Sequence, residues 1–304
     1  MNGNFISQLP EKFTRNATDL CGESGEAWLN DLPRIVAEIE TNWSLKAEKP
    51  FRNLSYNYVA PCIRADGGEA VLKIALPLNN PEIFNEARFL KLANGKGAVK
   101  LFEVDEKRRA ILLERLMPGK NLKEVCCEDE ARAIEIAIPV LRGLLKKPPN
   151  STFKTLDEWF NNFFEKAAAT SFPFEFQKKT REFYERLSSC STDKFLIHGD
   201  LHHENILSAT REPFLAIDPK GIVGAVGYDI GVFLNNHLWG LAPDENLKGK
   251  LDDAARRFSA VFAIEEADVR RWAYAQRVLS AWWTFEENGE NWETDLALAE
   301  FWDV

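Results

Sequence analysis

One segment constrains the fold of this 304-residue chain more than any other, because it switches abruptly between apolar and polar character. Leu196 and Ile197 end a short apolar stretch, and Ile206 and Leu207 begin another. Between them lies the polar run His198-Gly199-Asp200-Leu201-His202-His203-Glu204-Asn205. Short apolar runs bounded by polar residues are typical of buried strands. The segment therefore predicts a strand, a loop dense in polar side chains, and a second strand.

The polar side chains of this loop have a spacing that suits phosphoryl transfer. Asp200 and Asn205 are separated as in the kinase loop H-R-D-x-x-x-x-N, where the aspartate accepts a hydroxyl proton and the asparagine binds magnesium. Asp218 follows thirteen residues after Asn205, at the end of the next apolar strand. A carboxylate there can bridge magnesium to nucleotide phosphates. We predict Asp200 as the base and Asn205 and Asp218 as Mg²⁺ ligands; a plain polar turn is the alternative.

A second pair of ionisable residues lies nearer the amino terminus. Lys73 stands in the apolar stretch Val71-Leu72-Lys73-Ile74, and Ile83, Glu86 and Leu90 share one face of the helix predicted to follow. A buried carboxylate is costly unless it is paired, so Lys73 is the natural partner of Glu86. The pair would place the Lys73 ammonium against the α- and β-phosphates of a nucleotide, or it would be a purely structural ion pair.

The first 116 residues predict a small lobe rich in strands. After a mixed amino-terminal region, residues 51–76 read as strands around the turn Ala65-Asp66-Gly67-Gly68. A helix should begin at Asn80-Pro81 and end at Asn94-Gly95, and residues 99–104 and 110–116 form a second strand pair. One antiparallel sheet with one helix is therefore expected in residues 1–116.

The remaining residues, 117–304, predict a larger and mainly helical lobe. Thr155-Leu156-Asp157-Glu158 has the pattern of a capping box, and further helices fill residues 228–302. Pro139 should kink or split the helix around it. Short strands at 195–197 and 214–217 interrupt the helices. The fold class expected is α+β with two lobes.

Composition limits the partners of the chain. The 38 Lys and Arg against 47 Asp and Glu leave a formal charge of −9, which disfavours nucleic acid and suits a cationic small molecule. No apolar stretch is long enough to span a membrane, the first ten residues lack the pattern of a signal peptide, and the five cysteines lack metal or disulfide spacing. We expect a reduced cytoplasmic protein without a membrane partner, as a monomer or weak homodimer.

Several motifs together resemble one family, the aminoglycoside phosphotransferases, which are relatives of protein kinases. Within it they look like the aminoglycoside/hydroxyurea antibiotic-resistance kinase group. The resemblance spans residues 50–290 and is carried by the loop from His198 to Asn205 and by Ile217-Asp218-Pro219-Lys220-Gly221, Gly227-Tyr228-Asp229-Ile230, Leu112-Leu113-Glu114-Arg115-Leu116-Met117-Pro118-Gly119 and Leu279-Ser280-Ala281-Trp282-Trp283. It implies a two-lobed protein-kinase-like fold that uses ATP and Mg²⁺ to phosphorylate an alcohol.

The resemblance also implies roles for further residues. The segment from Glu114 to Leu116 would be the hinge that binds adenine, and Asp229 would brace the catalytic loop. The hairpin that should cover the phosphates has no G-x-G-x-x-G, and Ser55 and Asn57 stand there as candidate phosphate contacts. The acceptor implied is a small cationic antibiotic, with streptomycin leading. Hydroxyurea, a metabolite alcohol, or nucleotide binding without transfer are the alternatives.

The other candidates have two interpretations each. His198 and His202 are expected to orient the loop by hydrogen bonds, although histidines with aspartate can also bind zinc. Lys220 would neutralise phosphate charge or be a solvated lysine. The remaining candidates would line the acceptor pocket, or else be core tryptophans and a solvated acidic face: Trp239, Trp283, Glu286 and Glu287.

Overall fold

The computed structural model describes residues 5, 8–79, 82–127, 129–149, 153–190, 193–237, 247–287 and 289–302. The chain divides into two compact units, Met1–Gly119 and Lys120–Val304. The first unit contains an antiparallel sheet, and the second is mainly helical. The α+β class predicted from the sequence is confirmed.

A five-stranded antiparallel sheet is the centre of the first unit. Its strands follow the spatial order β1-β2-β3-β5-β4, with the bounds β1 (Leu45–Ala47), β2 (Asn57–Arg64), β3 (Glu69–Ala75), β4 (Leu101–Asp105) and β5 (Ala110–Glu114). The β2–β3 hairpin turns at the predicted Asp-Gly pair, where Gly67 has a φ of 80° and the Gly68 N–H donates to Asp66 Oδ1 at 2.9 Å. A positive φ of this size favours glycine, so the turn follows from the sequence.

The strand expected to start at residue 51 begins later, at Asn57. Residues 51–56 form turns and loop, and Tyr56 is exposed to solvent. Because Tyr56 buries little of its ring, its aromatic character does not indicate a strand at this point.

The described residues of the first unit contain three helices, two more than the sequence analysis expects. They are α1 (Glu11–Cys21), α2 (Glu23–Asn42) and α3 (Ile83–Ala93). The mixed amino-terminal region thus folds into α1 and α2, and Phe13 and Leu32 share one apolar core with Tyr58 and Leu72 of the sheet. Helix α3 ends as predicted at Asn94, which has a φ of 48°. Its predicted start at Asn80-Pro81 lies outside the described residues.

The second unit contains eight described helices and two two-stranded ribbons. The helices are α4 (Leu122–Cys126), α5 (Glu130–Leu144), α6 (Leu156–Ala167), α7 (Phe174–Cys190), α8 (Val226–His237), α9 (Leu247–Phe262), α10 (Glu266–Glu286) and α11 (Trp292–Ala299). The ribbons pair β6 (Phe195–Ile197) with β9 (Ile222–Gly224), and β7 (Ile206–Ser208) with β8 (Phe214–Ala216).

Local signals at two helices of this unit can be compared with the structure. Thr155 Oγ1 accepts from the Glu158 N–H at 3.1 Å and Glu158 Oε2 accepts from the Thr155 N–H at 2.6 Å, so the predicted capping box opens α6. Helix α5, in contrast, runs through Pro139 without being split. Pro139 lies on the exposed side of α5 and the opposite side is buried, so packing holds the helix across the missing hydrogen bond.

Helices α8 and α10 pack closely because α8 has small residues at the contact. A Cβ on Gly227 would lie 2.1 Å from Trp272 Cδ1, and one on Gly231 would lie 2.9 Å from the Trp272 carbonyl oxygen. Glycine at these two positions lets the backbones approach, and Trp272 fills the space beside them. This contact fixes the helix that follows Ala225 and carries Tyr228 and Asp229.

Two properties of the whole chain bear on the expectations from composition. No helix among the described ranges is long and apolar enough to cross a bilayer. The five cysteines are free thiols: Cys62 and Cys126 are buried, Cys21 is half-buried, and Cys127 and Cys190 are exposed.

Candidate active site

The loop between β6 and β7 is shaped by one glycine with left-handed backbone. Gly199 has a φ of 83°, and a Cβ at this position would lie 3.1 Å from Ile222 Cγ2. A side chain there would therefore be strained and crowded. The turn at Gly199 leads directly to Asp200, whose side chain is only partly buried.

Asp229, in the first turn of α8, fixes the backbone at Gly199 by hydrogen bonds. Its carboxylate accepts hydrogen bonds from the backbone N–H of His198 at 2.8 Å and of Gly199 at 2.7 Å. Asp229 is fully buried, and burial raises its pKa to about 7 although the two N–H donors act in the opposite direction. The loop is thus tied to α8 through two peptide groups rather than through the Asp200 side chain.

His198 is a neutral imidazole with an assigned tautomer. Its Nδ1 accepts from the Asp200 N–H at 3.2 Å, so the proton is on Nε2, which donates to the Ile217 carbonyl oxygen at 2.8 Å. Burial lowers the pKa of His198 to about 4. The ring joins the loop to the chain just before Asp218. Its role in orienting the loop for catalysis stays a prediction.

Asn205 and Asp218 lie near one end of the β7–β8 ribbon. Ile206 pairs with Ala216, and the Ile217 N–H donates to the Asn205 carbonyl oxygen at 2.9 Å. Asn205 Nδ2 donates to the Asp200 carbonyl oxygen at 2.9 Å. The side-chain oxygen of Asn205 takes no part in this bond. Asp218 is exposed and has a φ of 57°, so the chain turns sharply at this carboxylate.

Oxygen donors of this kind suit a hard divalent cation. One carboxylate and one carboxamide are typical of protein ligands for Mg²⁺, which keeps water or phosphate oxygens in its other positions. Over the part of the chain that the structure describes, no group of three or more His, Cys, Asp and Glu side chains could hold a metal ion. A closed zinc site needs three or four such ligands, so the donor set fits magnesium better than zinc.

Lys220 connects the loop with an aromatic pair. Its Nζ lies 3.9 Å from Asp200 Oδ2 and 5.5 Å from the centre of the Trp283 ring. Trp283, on α10, meets Trp159 of α6 edge to face, with ring centres 5.3 Å apart. Lys220 therefore lies beside Asp200, and the partly exposed rings of Trp283 and Trp159 lie beyond Lys220.

Trp159 is a residue of this neighbourhood that the sequence analysis missed. Trp159 is only partly buried, whereas Phe160 and Phe163 of the same helix are fully buried. The sequence feature that could have identified Trp159 is its position in the first turn after the Thr155 capping box, because this end of α6 lies beside β9 and the loop.

The two remaining histidines of the loop serve its backbone and its packing. His202 Nδ1 accepts from the Glu204 N–H at 3.2 Å, and burial lowers the His202 pKa. His203 stacks on Phe233 with ring centres 4.2 Å apart, and its Nε2 lies 3.3 Å from Glu130 Oε2. Both therefore have local partners within the second unit.

In the first unit, the structure brings Lys73 and Glu86 together as the sequence analysis expects. Lys73 Nζ donates to Glu86 Oε2 at 2.7 Å, and both side chains are at least 94% buried. Lys73 is held in β3 between β2 and β5, opposite Val59 and Ile111. A buried, paired ammonium on a central strand is rigidly placed.

The other candidates of the first unit lie in less distinctive surroundings. Asn57 is the first residue of β2, and the Ser55 carbonyl oxygen accepts from Asn16 Nδ2 at 3.1 Å. Glu114 ends β5 and its Oε2 accepts from the Lys100 N–H at 3.0 Å, while Leu116 is buried. Their nucleotide-binding roles stay predictions.

Three of the acceptor candidates lie at the carboxyl end of α10 and have different surroundings. Glu286 forms an ion pair with Lys166, Glu287 is exposed just after α10, and Trp283 stands beside Lys220. Trp239 lies outside the described residues. Of the three candidates that the structure describes, Trp283 is the one placed beside Asp200 through Lys220.

The fold matches solved kinase structures. A choline/ethanolamine kinase family protein from Mesorhizobium loti is similar with a TM-score of 0.65 at 14% identity, covering 90% of this chain and 95% of that chain. At this identity the match shows the fold alone. A kinase fold whose second unit holds the Asp200–Asn205 loop and a following aspartate defines the class: a kinase-like phosphotransferase.

The family follows from the sequence comparisons. The family model for aminoglycoside/hydroxyurea antibiotic resistance kinases matches residues 43–289, and the chain belongs to this family. A streptomycin 6-kinase from Streptomyces glaucescens is 27% identical over 293 residues, covering 94% of both chains. A hydroxyurea phosphotransferase from Kitasatospora aureofaciens is 26% identical over 304 residues, covering 97% of this chain and 86% of that protein. The protein is an enzyme of the phosphotransferase class with a hydroxyl acceptor.

Proposed function

We propose that this kinase transfers the γ-phosphoryl group of Mg-ATP to a hydroxyl of a small cationic aminoglycoside, with streptomycin as the first acceptor to test. The observation that carries the proposal is the loop itself, where Asp200 stands partly exposed on a turn whose backbone is fixed by Asp229 and His198. The streptomycin 6-kinase relative and the acidic balance of the chain support a cationic acceptor.

Asp200 is the proposed base and positioning group. Its carboxylate would accept a hydrogen bond from the acceptor hydroxyl and take the proton as the oxygen attacks phosphorus. Because its backbone N–H is bonded to His198 and its carbonyl oxygen to Asn205, the carboxylate starts from a fixed backbone. Preorganisation of this kind is a main source of rate in phosphoryl transfer.

Asn205 and Asp218 are the proposed Mg²⁺ ligands, through the amide oxygen and the carboxylate. When bound, the metal ion would neutralise charge on the nucleotide phosphates. Lys73, oriented by Glu86, is proposed to bind the α- and β-phosphates. Lys220 would place a further positive charge beside Asp200, and Trp283 would form part of the wall that the acceptor meets.

The direct test is mass-spectrometric detection of product from purified protein, ATP and Mg²⁺ with each of several acceptors. We expect streptomycin to gain the mass of one phosphoryl group, and to gain nothing when EDTA removes the divalent cation. A Lys73→Met variant should require more ATP for half-maximal rate. Absence of product from every aminoglycoside would contradict the proposed acceptor class.

Hydroxyurea is the second candidate acceptor, because a hydroxyurea phosphotransferase matches nearly the whole chain. It is small and uncharged, whereas streptomycin is large and cationic. Phosphorylated hydroxyurea without phosphorylated streptomycin would select this alternative, and a metabolite alcohol would be sought if both fail. Binding of Mg-ATP with no transfer to any acceptor would instead indicate a nucleotide-binding protein without transfer activity.

A further inference from the structure

A cavity of about 540 Å³ opens in the second unit where α6 and α10 end and α11 begins. Ligand sites in proteins are clefts of about 300–1,000 Å³, so the volume suits a small molecule. Its lining combines three aromatic rings, one ion pair and small or polar groups: Trp282, Phe285 and Trp292; Lys166 and Glu286; Thr170 and Gly289.

The aromatic lining forms a rigid wall. Phe285 meets Trp292 edge to face with ring centres 5.2 Å apart, and it packs on Trp282 at 5.6 Å. Trp282 is 1% exposed, so it is fixed by the core behind it, while Phe285 and Trp292 are only partly buried. Faces of tryptophan attract guanidinium and ammonium groups, tryptophan more strongly than phenylalanine.

The charges around the cavity favour a cation. From Glu286 to Glu293, the segment that contributes Glu286, Gly289 and Trp292 to the lining, the sequence has four acidic residues and no Lys or Arg. Helices α6 and α10 both end here, and the carboxyl end of a helix carries partial negative charge. Within the lining, the Glu286 carboxylate is paired with Lys166, whose side chain is half exposed. The Glu286 carboxylate thus already binds one cation, the ammonium group of the protein's own Lys166.

The cavity is close to the candidate active site along α10. Glu286 follows Trp283 by three residues, which places it one turn further along the same side of the helix. Trp283 contacts Lys220, and Lys220 lies 3.9 Å from Asp200. A ligand in the cavity would therefore bind one helical turn from Trp283, the residue whose ring lies beside Lys220 and the proposed base Asp200.

We propose that this cavity binds an organic cation, with a guanidinium or ammonium group against the Trp292 ring and a charge-assisted bond to Glu286 in place of Lys166. Two sources share this chemistry: the charged end of the phosphate acceptor, or a separate small amine. The first rests on the proposed function and the second does not.

The first experiment is calorimetric titration of the nucleotide-free protein, so that no transfer can occur. The probes are streptomycin, which bears guanidinium groups, and agmatine, which bears one guanidinium and one ammonium. We expect Glu286→Gln to weaken binding about tenfold, because a charge-assisted bond is lost. Lys166→Gln should tighten binding several-fold, because it removes the competing cation. Glu182→Gln, an exposed glutamate on α7, is the matched control and should change nothing.

The opposite signs of the two variants are decisive. If the ion pair only joins α6 and α10, neither probe will bind, or both substitutions will change the affinity in the same direction. Either result would overturn the proposal. A circular dichroism melting curve for each variant confirms that it is folded.

A second experiment separates the two sources. Competition between agmatine and streptomycin assigns the cavity to the charged end of the acceptor, and Glu286→Gln should then raise the KM for streptomycin with little change in kcat. Simultaneous binding of both probes, with agmatine alone sensitive to Glu286→Gln, assigns it to a separate amine. If no acceptor is phosphorylated, the proposed function fails while the calorimetric result on the cavity stands.

Discussion

At the scale of single residues, the candidate active site depends on peptide groups as much as on side chains. Asp229 and His198 both bond to backbone N–H groups of the loop, and Asn205 bonds to the Asp200 carbonyl oxygen. The Asp200 carboxylate has Lys220 at 3.9 Å and is otherwise accessible to an acceptor. This arrangement fixes the backbone position of the proposed base and keeps its carboxylate oxygens accessible.

The neutral state of His198 gives a prediction about pH. The folded protein holds the His198 pKa at about 4, while an unfolded histidine titrates near 6.5. Between these values only the unfolded chain binds the proton, so the free energy of unfolding falls as the pH is lowered and is unaffected above about 6.5. His198→Gln, which keeps an N–H donor toward Ile217, should remove this contribution.

Urea unfolding at several pH values measures the effect. From pH 6.5 to pH 5 the wild-type protein should lose about 1.6 kcal/mol more than His198→Gln, which is the linkage expected for one histidine with these two pKa values. Parallel pH profiles of the two proteins would show that His198 is not held neutral in the fold.

Some contacts between residues can be predicted from the sequence and others cannot, for a physical reason. The contact between Lys73 and Glu86 could be anticipated because a charge inside an apolar pattern needs a partner, and few are available. Lys220 and Trp283 could not be joined in this way, since their contact depends on how α10 packs beside the loop. The sequence therefore predicted each residue but not their proximity.

At the scale of elements, the packing of α8 against α10 controls the loop. Gly227 lets the two helices approach, and Asp229 is two residues further along α8. A shift of α8 would move the Asp229 carboxylate away from the two N–H groups that it accepts from. Helix packing and loop geometry are therefore coupled in this unit.

Gly227→Ala tests this coupling. The added methyl would lie 2.1 Å from Trp272 Cδ1, so α8 or Trp272 must move. Overpacking of this kind lowers the free energy of unfolding by about 1–3 kcal/mol, and we expect kcat to fall as well because Asp229 is displaced. Chemical unfolding and steady-state kinetics give the two numbers.

The matched control is the double variant with Trp272→Leu. If crowding at this contact is the cause, the alanine should cost less stability in the Trp272→Leu background than in the wild type. An equal cost in both backgrounds would exclude the clash with Trp272 as the cause.

Elements were predictable where local rules and packing agree. The Asp-Gly hairpin, the Thr155 capping box and the end of α3 at Asn94 all follow from local chemistry. Helix α2 is not among the elements expected from the sequence, although Leu29, Leu32, Val36 and Ile39 have helical spacing; it runs through Pro33. Burial of that face against the sheet outweighs the lost hydrogen bond, and such tertiary gains are not visible in a local pattern.

At the scale of the whole molecule, the α+β fold class follows from a strand-rich pattern before Pro118-Gly119 and a helical pattern after it. The cavity beside Glu286 does not follow from any pattern, because it is formed where α6, α10 and α11 meet. Architecture was thus more predictable than the shape of the ligand-binding surfaces.

The thiols give a prediction that samples both units at once. Burial raises the pKa of Cys62 to about 11 and also raises that of Cys126, whereas Cys127 and Cys190 are exposed. Because the thiolate is the reactive form, Cys127 and Cys190 should be alkylated by iodoacetamide at pH 8 much faster than Cys62 and Cys126. Peptide mass spectrometry over a time course measures the order, and early labelling of Cys62 would contradict the sheet packing.

The measurement that tests the central claim most directly is the rate of phosphoryl transfer by Asp200→Asn beside the wild type, with the best acceptor found. Asparagine keeps the size of the side chain but cannot accept the proton, so kcat should fall by about 10²–10⁴-fold. The affinity for Mg-ATP should stay nearly unchanged, and Asp193→Asn, an exposed aspartate in the same unit, should behave as the wild type. Wild-type turnover by Asp200→Asn would contradict the assignment of this loop as the catalytic centre.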